Sequence, residues 1–377
     1  MEYLEKQEIV IEEDKKQNET DGYISNPFST KDIKITPMHM ALPTLITKLK
    51  YEEIDLNPDF QRHSDLWTAT NMSRLIESIL LKLPLPIFYF DVSNPEKWIV
   101  VDGLQRLSTI KKFMVDKTLK LKNLEFLKDL DGKNYDDLER GFHRVFENTQ
   151  ILTYQIEEQT PKPVRYSIFN RINTGGMPLN AQEIRQALNQ QGKGVRFLIE
   201  CAESDIFRSI VSVPAKRMLD RELVLRFMSF KLSPNATNEF PFNNMGEFLD
   251  EAMEKLDNIK DDEKLNELRN SLFETLEFSE KILGEKHRFS RSIAKKEKTN
   301  TLNRSLFDVL TVCFSEIKDK KSFVSKKDEF RDKLGELLKD ESSEFSRAIT
   351  EGTSGKGAIE KRFGIIKKLI EEILNEN

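Results

Sequence analysis

Histidine and cysteine are scarce in this chain, at four and two residues out of 377. Cys201 and Cys313 sit in apolar-rich stretches and are too few for a disulfide framework, so both read as core thiols of a protein kept in a reducing compartment. His39, His63, His143 and His287 lie far apart, without a paired cysteine or a His-x-x-x-His spacing. The usual zinc patterns are therefore excluded, and no residue is assigned to a metal. The nucleophile-elbow pattern Gly-x-Ser-x-Gly is also absent, which removes the main sequence ground for a serine hydrolase. No apolar run approaches the roughly 20 residues that span a bilayer, and the acidic start MEYLEKQEIVIEEDKK has neither the basic nor the apolar region of a secretory signal. A cytoplasmic protein with no membrane partner is expected. Excess charge of one sign is missing too: 59 Lys and Arg against 64 Asp and Glu leave a net charge of −5. No overall field draws the chain to nucleic acid, so any DNA contact has to be local. A fixed-period repeat is not found.

What the chain does have is 38% apolar residues, enough for packed cores in one large domain or two ordinary ones. Residues 1–30 are polar, acidic and aperiodic. They predict a flexible acidic arm, with folding starting near Ile33. Between 33 and 121, short β-type runs at 53–56, 87–92 and 97–101 alternate with helical patterns, the mark of a small α/β unit. In the helix predicted over 72–83, Met72, Leu75, Ile76, Ile79, Leu80 and Leu83 form one apolar face, while Glu77 and Ser78 can face solvent. Pro84 and Pro86 end it. One further β-type run falls at 150–157. After it the signal is helical, at 164–172, 181–190 and 194–202, and then at 223–230, 245–256, 263–283, 302–317, 327–338 and 358–374. The expected fold is α+β: the arm at 1–30, a mixed α/β domain at 31–160 and a mainly α-helical domain at 161–377.

The sharpest local feature is Asp102-Gly103-Leu104-Gln105-Arg106. It follows Trp98-Ile99-Val100-Val101, which reads as a buried strand, and sits at a strand-to-helix junction. Gly103 permits close approach of a ligand and the new helix offers N–H groups, at the kind of strand end where α/β sheets usually bind ligands. In that setting Arg106 can grip a phosphate bidentately, Asp102 can hold a metal ion or a water, and Gln105 can hydrogen-bond a base, a sugar or a water. A solvated turn with Asp102 as helix N-cap fits the same residues. Gln61 and Arg62 follow the run at 53–56, from which Arg62 could meet the same ligand or pair with Asp59 or Asp65. Trp67 suits either base stacking or packing beneath its loop. Asn170-Arg171-Ile172-Asn173-Thr174-Gly175-Gly176 reads as a helix end whose glycines free N–H groups for an anion. A plain C-cap ahead of Asn180 as the next N-cap explains it equally.

In order and spacing, several segments together resemble the N-terminal domain of the GmrSD-type restriction endonuclease family. They are Asn57-Pro58-Asp59-Phe60-Gln61-Arg62, Leu66-Trp67, Leu75-Ile76-Glu77-Ser78-Ile79-Leu80, Leu83-Pro84-Leu85-Pro86-Ile87 and residues 101–110. Residues 168–180, Glu183-Ile184-Arg185 and, more loosely, residues 220–227 and 303–308 extend the resemblance over most of 35–370. The family signature is Asp-Gly-Gln-Gln-Arg, and Leu104 stands here in place of its first glutamine. The resemblance implies a ParB/sulfiredoxin-like fold that binds nucleoside triphosphates and, in defence proteins, couples nucleotide turnover to attack on foreign DNA. It implies Asp102, Gln105 and Arg106 as catalytic residues. Gln61, Arg62, Gly103, Asn170, Arg171, Asn173, Gly175 and Gly176 are the implied nucleotide-binding residues, with the loop at 170–176 as the second wall of the pocket. The implied cofactor is a nucleoside triphosphate of unspecified base, with Mg2+ as a candidate companion.

The densest basic stretch, 286–298, offers Lys286, Arg288, Arg291, Lys295, Lys296 and Lys298 as candidate DNA-phosphate contacts. Phe289 is interleaved, and Arg221 and Arg226 are further candidates; a solvated loop is the plain alternative. Residues 352–357 lack P-loop spacing and read as the turn before the last helix. His287 is the one histidine of the helical part, so the family's His-containing nuclease motif looks missing from it. Three functions stay open: a nucleoside triphosphatase of a restriction or anti-phage system, a non-catalytic nucleotide-gated or DNA-sensing subunit of a partner nuclease, and a DNA-nicking enzyme.

Overall fold

The computed structural model describes residues 10–12, 33–56, 67–172, 180–189, 192–211, 213, 215–284, 289–294 and 301–375. The chain forms two compact units, one of Ile24–Leu188 and one of Met1–Tyr23 with Asn189–Asn377. Strand β1 (Val10–Ile11) belongs to the latter. The former contains a five-stranded sheet in the order β2 (Ile35–Ala41), β6 (Gln150–Ile156), β4 (Phe88–Asp91), β5 (Trp98–Asp102), β3 (Ile54–Asp55). β4 runs parallel to β6 and antiparallel to β5, and β3 runs parallel to β5. Alternation along the strands sends Phe88, Phe90, Val100 and Ile151 to one face. There they share a core with α1 (Leu42–Lys50), α2 (Ala69–Leu80), α3 (Leu104–Ile110) and α4 (Arg140–Asn148). Val101, 1% exposed, takes the other face, and α5 (Lys162–Ile172) packs against β5.

Several elements depart from the periodicity. α2 starts at Ala69 because Thr68 caps it, accepting from the Asn71 N–H at 3.2 Å. It ends at Leu80, which leaves Leu83 51% exposed and outside the core face. β2 is an edge strand whose sequence, ITPMHMA, is exposed over most of its length and carries no alternation. The boundary between units falls at 188/189 and not at 160/161, so α5 and α6 (Ala181–Leu188) belong with the sheet. The physical reason is an anchor: Arg165 on α5 donates to Asp91 at 3.3 Å and to Ser93 at 2.7 Å, at the end of β4.

Glu77 does not face solvent. It is 3% exposed, and its carboxylate accepts from the N–H groups of Glu125, Phe126 and Leu127 at 3.0, 2.8 and 2.8 Å. One turn earlier on α2, Ser73 Oγ accepts from the Lys122 N–H at 2.9 Å, so the helix holds the 122–127 loop by its backbone. Burial alone would raise the Glu77 pKa. The Leu127, Glu125 and Phe126 N–H groups and the charge of Arg74 outweigh it and hold the carboxyl below the ordinary glutamate range.

The helical unit is built from α7 (Lys193–Glu203), α8 (Asp205–Ile210), α9 (Leu219–Leu232), α10 (Met245–Asn258) and α11 (Asp262–Leu283), then β7 (Thr301–Leu302). α12 (Arg304–Glu316), α13 (Lys320–Ser325), α14 (Lys327–Lys339), α15 (Glu344–Thr350) and α16 (Lys356–Asn375) complete it. β1 pairs in parallel with β7, and the Glu12 N–H donates to the Leu302 carbonyl at 2.8 Å. Residues 10–12 of the expected flexible arm therefore have a fixed place. α9 and α12 are buried nearly all round, so their charges meet inside. Arg226 donates to Asp308 through Nε at 2.9 Å and Nη2 at 2.7 Å, and to Glu222 through Nη1 at 3.2 Å. Arg362 lies 3.5 Å from the same Asp308 and donates to the Thr353 carbonyl at 2.6 Å. Arg221 and Arg226, 3% and 6% exposed, are thereby withdrawn from any DNA surface. Both cysteines are core thiols, and burial pushes Cys201 up to about 12 and Cys313 well above the ordinary thiol range. Among the described residues no helix is long and apolar enough to cross a membrane.

Two stability predictions follow from these buried charges. Glu77→Ala leaves three backbone donors without their acceptor and should cost about 2–4 kcal/mol in urea denaturation. Because the folded pKa of Glu77 is depressed, its contribution is present above the unfolded pKa and is lost as pH falls through the folded value. The gap between wild type and Glu77→Ala should therefore close on acidification; a gap independent of pH contradicts the clamp. Asp308→Ala strands Arg226 in a dry interior and should cost about 3–5 kcal/mol, whereas a loss under about 1 kcal/mol would mean the pair is solvated.

Candidate functional site

β5 delivers its last residue through a β-bulge. Phe90 pairs with Val100 and Tyr89 with Asp102, so Val101 is the extra residue of β5. Bulges of this kind bend a strand and re-aim the next side chain. Gly103 then adopts φ +104°, and a Cβ there would lie 2.5 Å from Phe88 Cδ1, so the turn needs glycine both for its left-handed backbone and for space. Gly103 is also the N-cap of α3 and supplies no side-chain cap. Asp102 is therefore not the helix cap; its carboxylate is engaged elsewhere.

That partner is Arg106, one turn into α3. Its Nη2 donates to Asp102 Oδ2 at 2.8 Å and to the Ile87 carbonyl at 3.2 Å, and Nη1 donates to the Pro86 and Ile87 carbonyls. The guanidinium lies 4.5 Å over the Phe88 ring. Pro84 and Pro86 lack N–H groups, so the chain entering β4 cannot be secured by an ordinary ladder, and Arg106 takes its carbonyls instead. Burial pushes the Arg106 pKa down while Asp102 pulls it back up, and the group stays charged. Arg106 is thus a positioning residue: its two terminal nitrogens are engaged with the protein, not held out for a phosphate. The Asp102 side chain keeps 32% exposure and is held by one oxygen, which leaves the other open to a ligand or a water.

The remaining expected site residues distribute as follows. Gln105 is half-buried on the first turn of α3. Because β3 is parallel to β5, the chain leaves β3 toward the Asp102 end of the sheet. Gln61 and Arg62 themselves lie outside the described residues, as do Asn173, Gly175 and Gly176. Asn170 and Arg171 belong to the last turn of α5, not to a loop, and Arg171 is exposed. Asn180 and Glu183 form a reciprocal capping box at the start of α6, at 2.7 and 2.8 Å, as the N-cap expectation for Asn180 requires. Trp67 is half-buried against the core of the sheet unit.

A cleft of about 430 Å³ opens between the end of β3 and the α3 side, lined by Asp55, Leu56, Lys97, Ser108, Lys111 and Lys112 among others. Lys111 and Lys112 lie in the π-helical turn Lys111–Val115 that continues α3, and helices of this kind often widen at functional sites. Among the described residues no group of three or more His, Cys, Asp or Glu comes together to hold a metal. Of the basic stretch, Arg291 lies in a short 3₁₀ turn 3.4 Å from Glu341, and Lys286, Arg288, Lys295, Lys296 and Lys298 lie outside the described residues. Phe289 is not available to nucleic acid: it is 1% exposed, with its ring edge-on to Phe307 at 4.9 Å. Sequence reasoning missed the half-buried Tyr89 and Tyr154, whose rings stack beside Asp102. Tyr89 sits between Phe88 and Phe90, and that alternation was the available signal.

If Arg106 positions the site, Arg106→Ala removes the donor to Pro86, Ile87 and Asp102 at once and should cost about 2–4 kcal/mol. Asp102→Asn keeps an acceptor oxygen for Arg106 and should cost less than about 1.5 kcal/mol. Denaturant titration distinguishes them, and equal losses would contradict the positioning role of Arg106.

Residues 44–189 match the family described as GmrSD restriction endonuclease, N-terminal domain. Searches of curated proteins and of solved structures found no match. The match ends where the sheet unit ends, so the looser likeness at 220–227 and 303–308 lies outside it. Over residues 44–189 the chain is similar to the N-terminal domain of the GmrSD restriction endonuclease family, a likeness that suggests a protein related to restriction and defence nucleases.

Proposed function

We propose that the sheet unit is a ParB/sulfiredoxin-like nucleotide-binding module that binds and hydrolyses a nucleoside triphosphate at the Asp102–Gly103 turn, as part of a DNA-targeting restriction or anti-phage system. The observation that carries this reading is the half-exposed Asp102 carboxylate, aimed by a bulge and fixed by Arg106 at the sheet end toward which β3 also runs. In hydrolysis, a water held by Asp102 attacks the γ-phosphorus as the bond to the β-phosphate oxygen breaks. Its proton passes to the carboxylate, and the diphosphate and inorganic phosphate leave. Gln105 orients the water or a phosphate oxygen. Mg2+ would be held mainly by the substrate phosphates and water. It would neutralise charge on the transferred group. Gly103 supplies a backbone donor at the turn. A nuclease partner is the proposed source of DNA cleavage, and the basic stretch at 286–298 the proposed DNA contact.

Purified protein incubated with each NTP and Mg2+ should release phosphate. Asp102→Asn should slow release by about 100-fold or more while the nucleotide still raises the melting temperature. Nucleotide that stabilises the protein but is recovered intact would make the unit a nucleotide-gated regulator. Nicking of a plasmid lost in Asp102→Asn would make it a nuclease. No stabilisation by any nucleotide would remove the reading altogether.

A further inference from the structure

Phe88 and Phe90 point into the core and are fully buried, as a strand in the middle of a sheet requires. Tyr89, between them, takes the opposite face and remains half-buried, and Tyr154 on the neighbouring β6 does the same. The two are register partners, and their rings stack 5.4 Å apart at 11°. The register continues in both directions. Asp102 is opposite Tyr89 on β5, and Pro37, exposed on the edge strand, is opposite Tyr154. A single row therefore crosses the sheet from the Asp102 turn through two aromatic rings to a proline. Neither tyrosine belongs to the hydrophobic cluster that forms the core of the sheet unit. Among the described residues neither hydroxyl has a hydrogen-bond partner.

Aromatic side chains standing half-open on a sheet face are stacking platforms for flat heterocycles. Here they begin one strand spacing, about 5 Å, from a carboxylate at the phosphate end of the proposed site. We propose that Tyr89 and Tyr154 receive the base of the bound nucleotide, with its phosphates directed to Asp102 and Gly103. The inference rests on the nucleotide reading above and adds to it the residues that recognise the base. Stacking tolerates any base, so the platform gives affinity for nucleotides over plain polyphosphates and not a choice among the four bases.

The test is calorimetric titration of the full chain with an NTP and, separately, with inorganic tripolyphosphate. Tyr154→Leu and Tyr89→Leu should each weaken NTP binding about ten-fold or more and leave tripolyphosphate binding unchanged, while Tyr154→Phe should stay within about two-fold of wild type. Tyr154→Trp supplies a second readout if a leucine variant folds poorly: its added emission should be quenched by the NTP and not by tripolyphosphate. Unchanged NTP affinity in both leucine variants, or equal weakening toward both ligands, overturns the platform and leaves the Asp102 site standing. No NTP binding by the wild type overturns the site and the platform together.

Discussion

The Arg106 guanidinium is the interaction on which the Asp102 end of the sheet depends. Three groups that would otherwise be held loosely meet on it: the proline-bounded approach to β4, the face of Phe88 and the Asp102 carboxylate. An arginine suits this place because its planar fork reaches several acceptors at once and cannot lose its proton. The bulge at Val101 and the glycine at 103 set the geometry, and Arg106 makes it rigid. Preorganisation of this kind is what a phosphate- or water-handling carboxylate needs, because a side chain free to rotate loses much of its catalytic value.

Buried charge has a different use in the helical unit. Arg226, Glu222, Asp308 and Arg362 meet where α9, α12 and α16 cross, wholly inside the protein. Such networks cost desolvation and add little net stability, but they penalise any other packing of the same helices. In the sheet unit Glu77 plays a third part, with one carboxylate standing in for the missing ladder of a loop.

How far the chain could be read in advance depended on the range of the forces involved. β5 and the turn after it were legible because a buried strand writes a continuous apolar run and glycine marks the break. The core face of α2 was legible through its 3.6-residue period, apart from Leu83, which lies past the end of the helix. Glu77 was not, because its three partners lie 48 to 50 residues away and its helical position looks like any solvated one. Arg106 was assigned to a phosphate for the same reason: the carbonyls it holds are 19 and 20 residues upstream. β2 escaped notice because an exposed edge strand has no face to alternate against. The bulge that aims Asp102 is a matter of register, which side-chain patterns do not record. The GmrSD resemblance was strong over the sheet unit, where motif order survives. It was loose beyond it, where buried arginines resembled surface ones.

The most direct measurement is backbone amide NMR of the chain titrated with a nucleoside triphosphate. Binding at the turn should move the Gly103, Leu104 and Gln105 amide signals first and most, since their N–H groups begin α3 beside Asp102. Saturating shifts confined to the helical unit, with the Gly103 signal unmoved, would contradict the assignment of the nucleotide site to this turn.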